Sequence, residues 1–163
     1  MKKLIYTFLI IIALTNHSFS AGSNSDNDST SKVSDYTKAK NLIKAAKKYE
    51  KKGKTAKAQK RYTKAQKLLL KSNKQKPLQA NTLNYLGFTT RKLGDYEGGE
   101  EFYLQGLQIE PNHNGINEYL GELYIATNRM DMAKERLEVL KTCNCEEYEE
   151  LKEIIDGTKK SKY

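Results

Sequence analysis

The chain has 163 residues, 37% of them hydrophobic and 30% charged, with 29 Lys or Arg against 20 Asp or Glu and a formal net charge of +9. Beyond its first residues no stretch is apolar enough to span a membrane, and the remainder suffices for one domain with a core of its own. The two His, His17 and His113, lie far apart in the sequence and offer little for acid–base or metal chemistry.

Lys2 and Lys3 open the chain, ahead of an apolar run from Leu4 to Leu14 and a polar stretch ending Ser18-Phe19-Ser20-Ala21. A basic start, a short apolar run and small residues before a cut after Ser20 match a cleaved secretory signal over residues 1–20. A membrane anchor would need about 20 apolar residues, which this run lacks. The expected location is therefore the periplasm. Residues 21–34 are almost all Ser, Asn, Asp, Gly, Thr and Lys, and read as a disordered polar leader.

Residues 35–77 read as a basic helical pair. From Lys32 to Lys76 there are 17 Lys or Arg against Asp35 and Glu50, whereas Pro77 to Tyr163 holds 10 basic and 16 acidic residues. The net charge is thus a dipole along the sequence. The second helix of the pair is expected from Thr55, as its N-cap, to about Lys74, closed by Pro77. On it Lys57, Lys60, Lys64, Lys67 and Lys71 share one stripe, and Ala58, Tyr62, Ala65 and Leu69 share the opposite one. One reading is a solvated amphipathic helix. The other is attraction to an anionic membrane surface, an acidic protein or the acidic end of a second copy. Nucleic acid fits poorly, because the stripe holds few Arg and no interleaved aromatic residues.

A 34-residue period then governs residues 78–145. Leu83, Leu86, Gly87, Gly94, Tyr103 and Pro111 recur as Asn117, Leu120, Gly121, Asn128, Leu137 and Cys145. Gly94 and Asn128 suit the left-handed residue that ends a helix, and Gly53 takes that role earlier. Asp95 is placed to cap the helix after it, while Arg129 is a poor cap. Gly99, Gly106 and Ala133 are small where paired helices must touch; Gly98 has no evident reason. Residues 146–156 form one more amphipathic helix, with Glu146, Glu147, Glu149 and Glu150 on the polar side, and a polar tail follows over residues 157–163.

This period and layout resemble the tetratricopeptide repeat. With Gly53 matched to Gly94, the basic pair becomes a first unit whose second helix is two turns longer than usual. The resemblance implies an all-α fold: a short α-solenoid of about three helix–turn–helix units plus a C-terminal capping helix. It further implies a non-catalytic scaffold that binds another protein or peptide in a groove lined by the first helix of each unit. Mapping by the repeat places Lys40, Ile43 and Lys47 there, then Asn81, Asn84, Tyr85, Phe88 and Arg91, then Glu118, Tyr119 and Glu122. Asn84, Phe88 and Arg91 would grip an extended peptide, although Tyr85 and Tyr119 suit packing between helices as well. Some relatives clamp a terminal carboxylate with a Lys-x-x-x-Arg pair; Gly115 and Tyr119 stand there, so that clamp is not carried over.

No phosphate loop, metal-binding His pair or hydrolase elbow occurs, so neither cofactor nor metal is expected. Cys143-Asn144-Cys145 is the sharpest chemical element. In an oxidising compartment a disulfide is the default, and thiols bonded to another chain, a redox pair or a Cu(I) pair remain open. Weak self-association through the two oppositely charged ends is a further expectation.

Overall fold

The computed structural model describes residues 33–161. The expected signal, most of the leader and the last two tail residues lie outside them. Seven helices follow in order: α1 Asp35–Glu50, α2 Thr55–Gln75, α3 Ala80–Lys92, α4 Tyr96–Ile109, α5 Asn114–Ala126, α6 Met130–Leu140 and α7 Glu146–Ile155. No strand occurs among the described residues. The helices pair as α1 with α2, α3 with α4 and α5 with α6, and α7 packs on α5 and α6. No described helix is long and apolar enough to cross a membrane.

Each pair is joined by one recurring turn. Gly53, Gly94 and Asn128 sit at φ 65°, 99° and 59°, where glycine escapes the steric penalty and asparagine suffers little. The next amide in each turn reaches back to the preceding helix: Lys54 to the Tyr49 carbonyl, Asp95 to Thr90 and Arg129 to Tyr124, at 2.9, 3.2 and 2.7 Å. Such reverse bonds satisfy carbonyls that the helix end leaves unpaired. The three units therefore share a turn even where their side chains differ.

Helix starts are less uniform. The Ser34 hydroxyl accepts from the Thr37 amide at 3.1 Å, and the Asp95 carboxylate from the Gly98 amide at 2.8 Å. A Cβ on Gly98 would press on this capping carboxylate, whose side chain would have to shift. Thr55 does not cap α2: the N-cap is Lys54, without a side-chain bond, and Thr55 is already helical. Arg129 likewise provides no side-chain cap; its guanidinium instead forks onto Glu100, at 2.9 and 2.6 Å, and ties the third turn to α4. His113, which the sequence places in a turn, is the N-cap of α5. Its Nδ1 accepts from the Ile116 amide at 3.1 Å, and its Nε2 lies 3.3 Å from the Asn81 amide oxygen.

Small residues set the spacing between helices. Ala39, Ala46, Ala58 and Ala65 are at most 1% exposed, and with Ile43, Tyr62 and Leu69 they make the core of the first unit. That core lets the surrounding lysines stay in water. In the second unit a Cβ on Gly87 would lie 2.5 Å from Cε1 of Tyr103, and one on Gly99 only 3.1 Å from the Gly87 carbonyl oxygen. A Cβ on Gly106 would collide with Ile116 Cδ1, so this glycine serves the contact of α4 with α5. Gly121 receives Leu151 of α7, whose Cδ2 would be 2.6 Å from an added Cβ. Cys143 and Cys145 are joined by a disulfide, with Cα atoms 5.2 Å apart, and Cys145 is the N-cap residue of α7.

Candidate protein interaction surface

The inner layer consists of α1, α3, α5 and α7, each in contact with the next along the stack. Its centre is an aromatic shelf. Phe88 and Tyr119 rings lie 5.2 Å apart, and Phe88 meets Tyr62 edge-on at 5.8 Å. Lys47 stands 4.6 Å above Phe88 and donates to the Tyr119 hydroxyl at 3.3 Å. The negative ring faces attract this ammonium group and lower the cost of taking it part-way out of water.

Arg91 lies beneath the shelf. Its guanidinium carbon is 5.2 Å from both the Phe88 and Tyr119 ring centres, Nη1 donates to the Tyr119 carbonyl at 3.3 Å, and Nη2 is 3.8 Å from Glu122. Both side chains of this ion pair are fully buried. Burial pushes the Arg91 pKa down, and Tyr103, Glu122, Tyr119 and Glu118 oppose that shift. A buried guanidinium stays charged, so these neighbours must balance it. At the far end, carboxylate oxygens of Glu118, Glu122 and Glu150 lie within 4.8 Å of one another.

The residues that the repeat mapping puts on the inner face sit on α1, α3 and α5, and most of them are buried. Phe88, Arg91, Asn84, Glu118 and Glu122, the candidate partner-binding residues, are between 0% and 6% exposed. Phe88 and Arg91 are covered by Lys47 and Tyr119, and the Asn84 amide nitrogen packs against Gly115, 2.9 Å from where a Cβ would stand. Ile43 is likewise core. The accessible part of the inner face is Lys40 and Asn81, with Lys47, Tyr85 and Tyr119 half-buried. Tyr85 pairs edge-on with Tyr36 at 5.9 Å.

Residues 80–113, which are α3, α4 and the turn after them, match the family model described as tetratricopeptide repeat. That stretch is similar to the tetratricopeptide repeat. The matched stretch is one period long, and α1–α2 and α5–α6 repeat its helix pair on either side. The fold is similar to those of several solved structures. The type III secretion translocator chaperone SycD of Yersinia enterocolitica is 17% identical, with a TM-score of 0.52 over 73% of this chain and 86% of that one. A CopN–Scc3 complex matches at 18% identity and a TM-score of 0.50, over 82% and 80% of the two chains. The first tetratricopeptide domain of RPAP3 (Spaghetti), bound to an HSP90 peptide, is 22% identical with a TM-score of 0.47 over 77% and 96%. Among curated proteins no sequence matches the chain.

The lysine stripe is where the sequence puts it: Lys57, Lys60, Lys64, Lys67 and Lys71 are all exposed on α2, and Lys71 pairs with Asp35 at 2.8 Å. It faces away from the aromatic shelf, because the opposite stripe of α2 (Ala58, Tyr62, Ala65 and Leu69) is the buried one. Two groups of the inner face escaped the repeat mapping. Glu150 reads in sequence as part of a solvated acidic face, and Lys159 and Ser161 as polar tail, yet all three meet the acidic end of this layer. A signal was available: α7 follows α6 as a further first helix would, so its inner positions belong to the same surface.

Proposed function

We propose that this protein is an exported, non-catalytic scaffold that holds another protein through the inner face of its helical stack. The observation that carries this reading is the aromatic shelf, where half-buried Lys47 and Tyr119 lie over a floor of buried Phe88 and Arg91, with half-buried Tyr85 also on α3. Rigid aromatic groups with a polar tip bind partners at low entropic cost. The floor residues act by fixing the shelf, and the accessible groups would make the contacts. Selection of displayed peptides on the immobilised protein tests the reading. Recovered peptides should lose about tenfold or more in affinity for Tyr85→Ala/Tyr119→Ala, the range of an interface anchor. Failure to recover any specific peptide, or indifference to that double change, would overturn it. Export is tested by mass spectrometry of the mature protein, which should begin at Ala21.

A membrane-surface role for the lysine stripe has support in its exposure and in its place on the face of α2 opposite the buried stripe. Anionic vesicles should then bind the protein in a manner abolished by salt. The Cys143–Cys145 bridge favours a structural part over a copper pair, because both sulfurs are engaged with each other.

A further inference from the structure

After α7 the backbone turns at Gly157, with φ 74°, and the Thr158 and Lys159 amides donate back to the Glu153 carbonyl at 2.9 and 3.1 Å. In the earlier units such a turn leads to the next helix. Here it leads onto carboxylates. Lys159 Nζ lies 3.2 Å from both Glu150 and Glu153, and two residues later the Ser161 hydroxyl donates to Glu122 at 3.3 Å. Glu118 and Glu122 are 4% and 0% exposed. Buried carboxylates must be matched by cations or hydrogen-bond donors. Arg91 supplies one cation from beneath, and segment 157–161 supplies donors from above. The segment is a turn and bend folded back on the end of α7, and it brings Lys159 and Ser161, two residues apart, onto these carboxylates.

From this we infer that the acidic end of the inner face is a seat for a lysine-bearing peptide, and that segment 157–161 of the chain itself occupies it when no partner is bound. The inference rests on the scaffold reading above and gives its partner a chemistry: an ammonium group followed two residues later by a second donor. Glu150 and Glu153 take the ammonium and Glu122 takes the second donor. Exposed ion pairs each shift an equilibrium by at most about fivefold, and the Lys159 side chain is 38% exposed. The internal segment is therefore held weakly enough for a partner to displace it. Its presence makes the seat selective, since a competitor must bring charge of the same sign and spacing.

The test uses a labelled peptide, Gly-Thr-Lys-Lys-Ser-Lys-Tyr, with the sequence of residues 157–163. Its binding is followed by fluorescence anisotropy on the full chain and on the full-length variant Lys159→Glu/Ser161→Glu, which sets acid against acid and releases the segment. The variant should bind the peptide about tenfold more tightly than the parent, the product expected from two exposed pairs and a hydrogen bond. High salt, or Glu150→Gln added to the variant, should remove that gain. Should charge reversal reduce helicity by circular dichroism, Lys159→Ala/Ser161→Ala replaces it, with the same direction expected. Equal affinity for parent and variant overturns the internal occupant. Binding by neither overturns the seat. In both cases the scaffold reading stands or falls separately, on whether displayed peptides depend on Tyr85 and Tyr119.

Discussion

Two buried tyrosines with the same ring and opposite polar surroundings show how much a single group decides. The Tyr62 hydroxyl donates to Glu50 at 2.8 Å, and burial, together with that bond, pushes its pKa well up. The Tyr103 hydroxyl is fully buried and has no hydrogen-bond partner, so its ring is used for packing over Gly87 and its oxygen is a cost. Removing a satisfied group loses the bond, whereas removing an unsatisfied one relieves desolvation. Tyr62→Phe should therefore destabilise by about 1 kcal/mol, and Tyr103→Phe should leave stability unchanged or raise it. Parallel urea titrations decide the matter; a larger loss for Tyr103→Phe would refute the packing described here. Gly99 offers a second measurement. Its neighbours at 3.1 Å include the backbone oxygen of Gly87, which cannot step aside without moving α3. Gly99→Leu should cost about 1–3 kcal/mol through overpacking, read from the same denaturation midpoint.

At the scale of helices, what the sequence discloses and what it hides have separate physical causes. Turns are local: Gly53, Gly94 and Asn128 announce themselves because few residue types tolerate positive φ, and all three are found there. The period of the apolar pattern is equally local, so the helix pairs follow from spacing, while the inner face of α3 follows from the resemblance to the repeat. Depth is not local. Phe88 and Arg91 are buried by Lys47 and Tyr119, residues separated from each other by 72 positions, and no spacing rule within α3 contains that information. The same holds for Glu150 and Ser161, which lie outside the repeating pattern and reach the inner layer only because α7 docks on Gly121. The disulfide sits at the start of that docking helix. Closing so small a ring still removes freedom from the unfolded chain, about 1–2 kcal/mol on the loop-entropy scale. Cys143→Ser/Cys145→Ser should lower stability by that amount and leave peptide capture intact, as measured by thermal melts and anisotropy on the same sample. A double variant that melts normally but loses a thiol-exchange or Cu(I)-binding activity would instead identify the bridge as a reactive centre.

Across the whole molecule the charges are segregated rather than mixed. The outer face of α2 carries the exposed lysine stripe, and α7 presents Glu146, Glu149 and Glu153 to solvent. Like charges three and four residues apart on a helix repel by a few tenths of a kcal/mol per pair, so the stripe is not there for the stability of α2. Changing Lys57, Lys60 and Lys64 to Gln should leave the melting temperature unchanged or slightly raised. If the stripe holds an anionic partner, the same change should weaken that association, and moderate salt should imitate it, because exposed charges are screened within about 8–10 Å. A contact of α2 from one copy with α7 from the next is heterologous, so it need not close and would extend into short oligomers. Sedimentation velocity at low and high salt measures this directly. We expect concentration-dependent species larger than a monomer at low salt, lost at high salt and in the triple Gln variant. A single monomer boundary at low salt and high protein concentration would eliminate self-association, and the stripe would then have to serve an anionic membrane or an acidic protein.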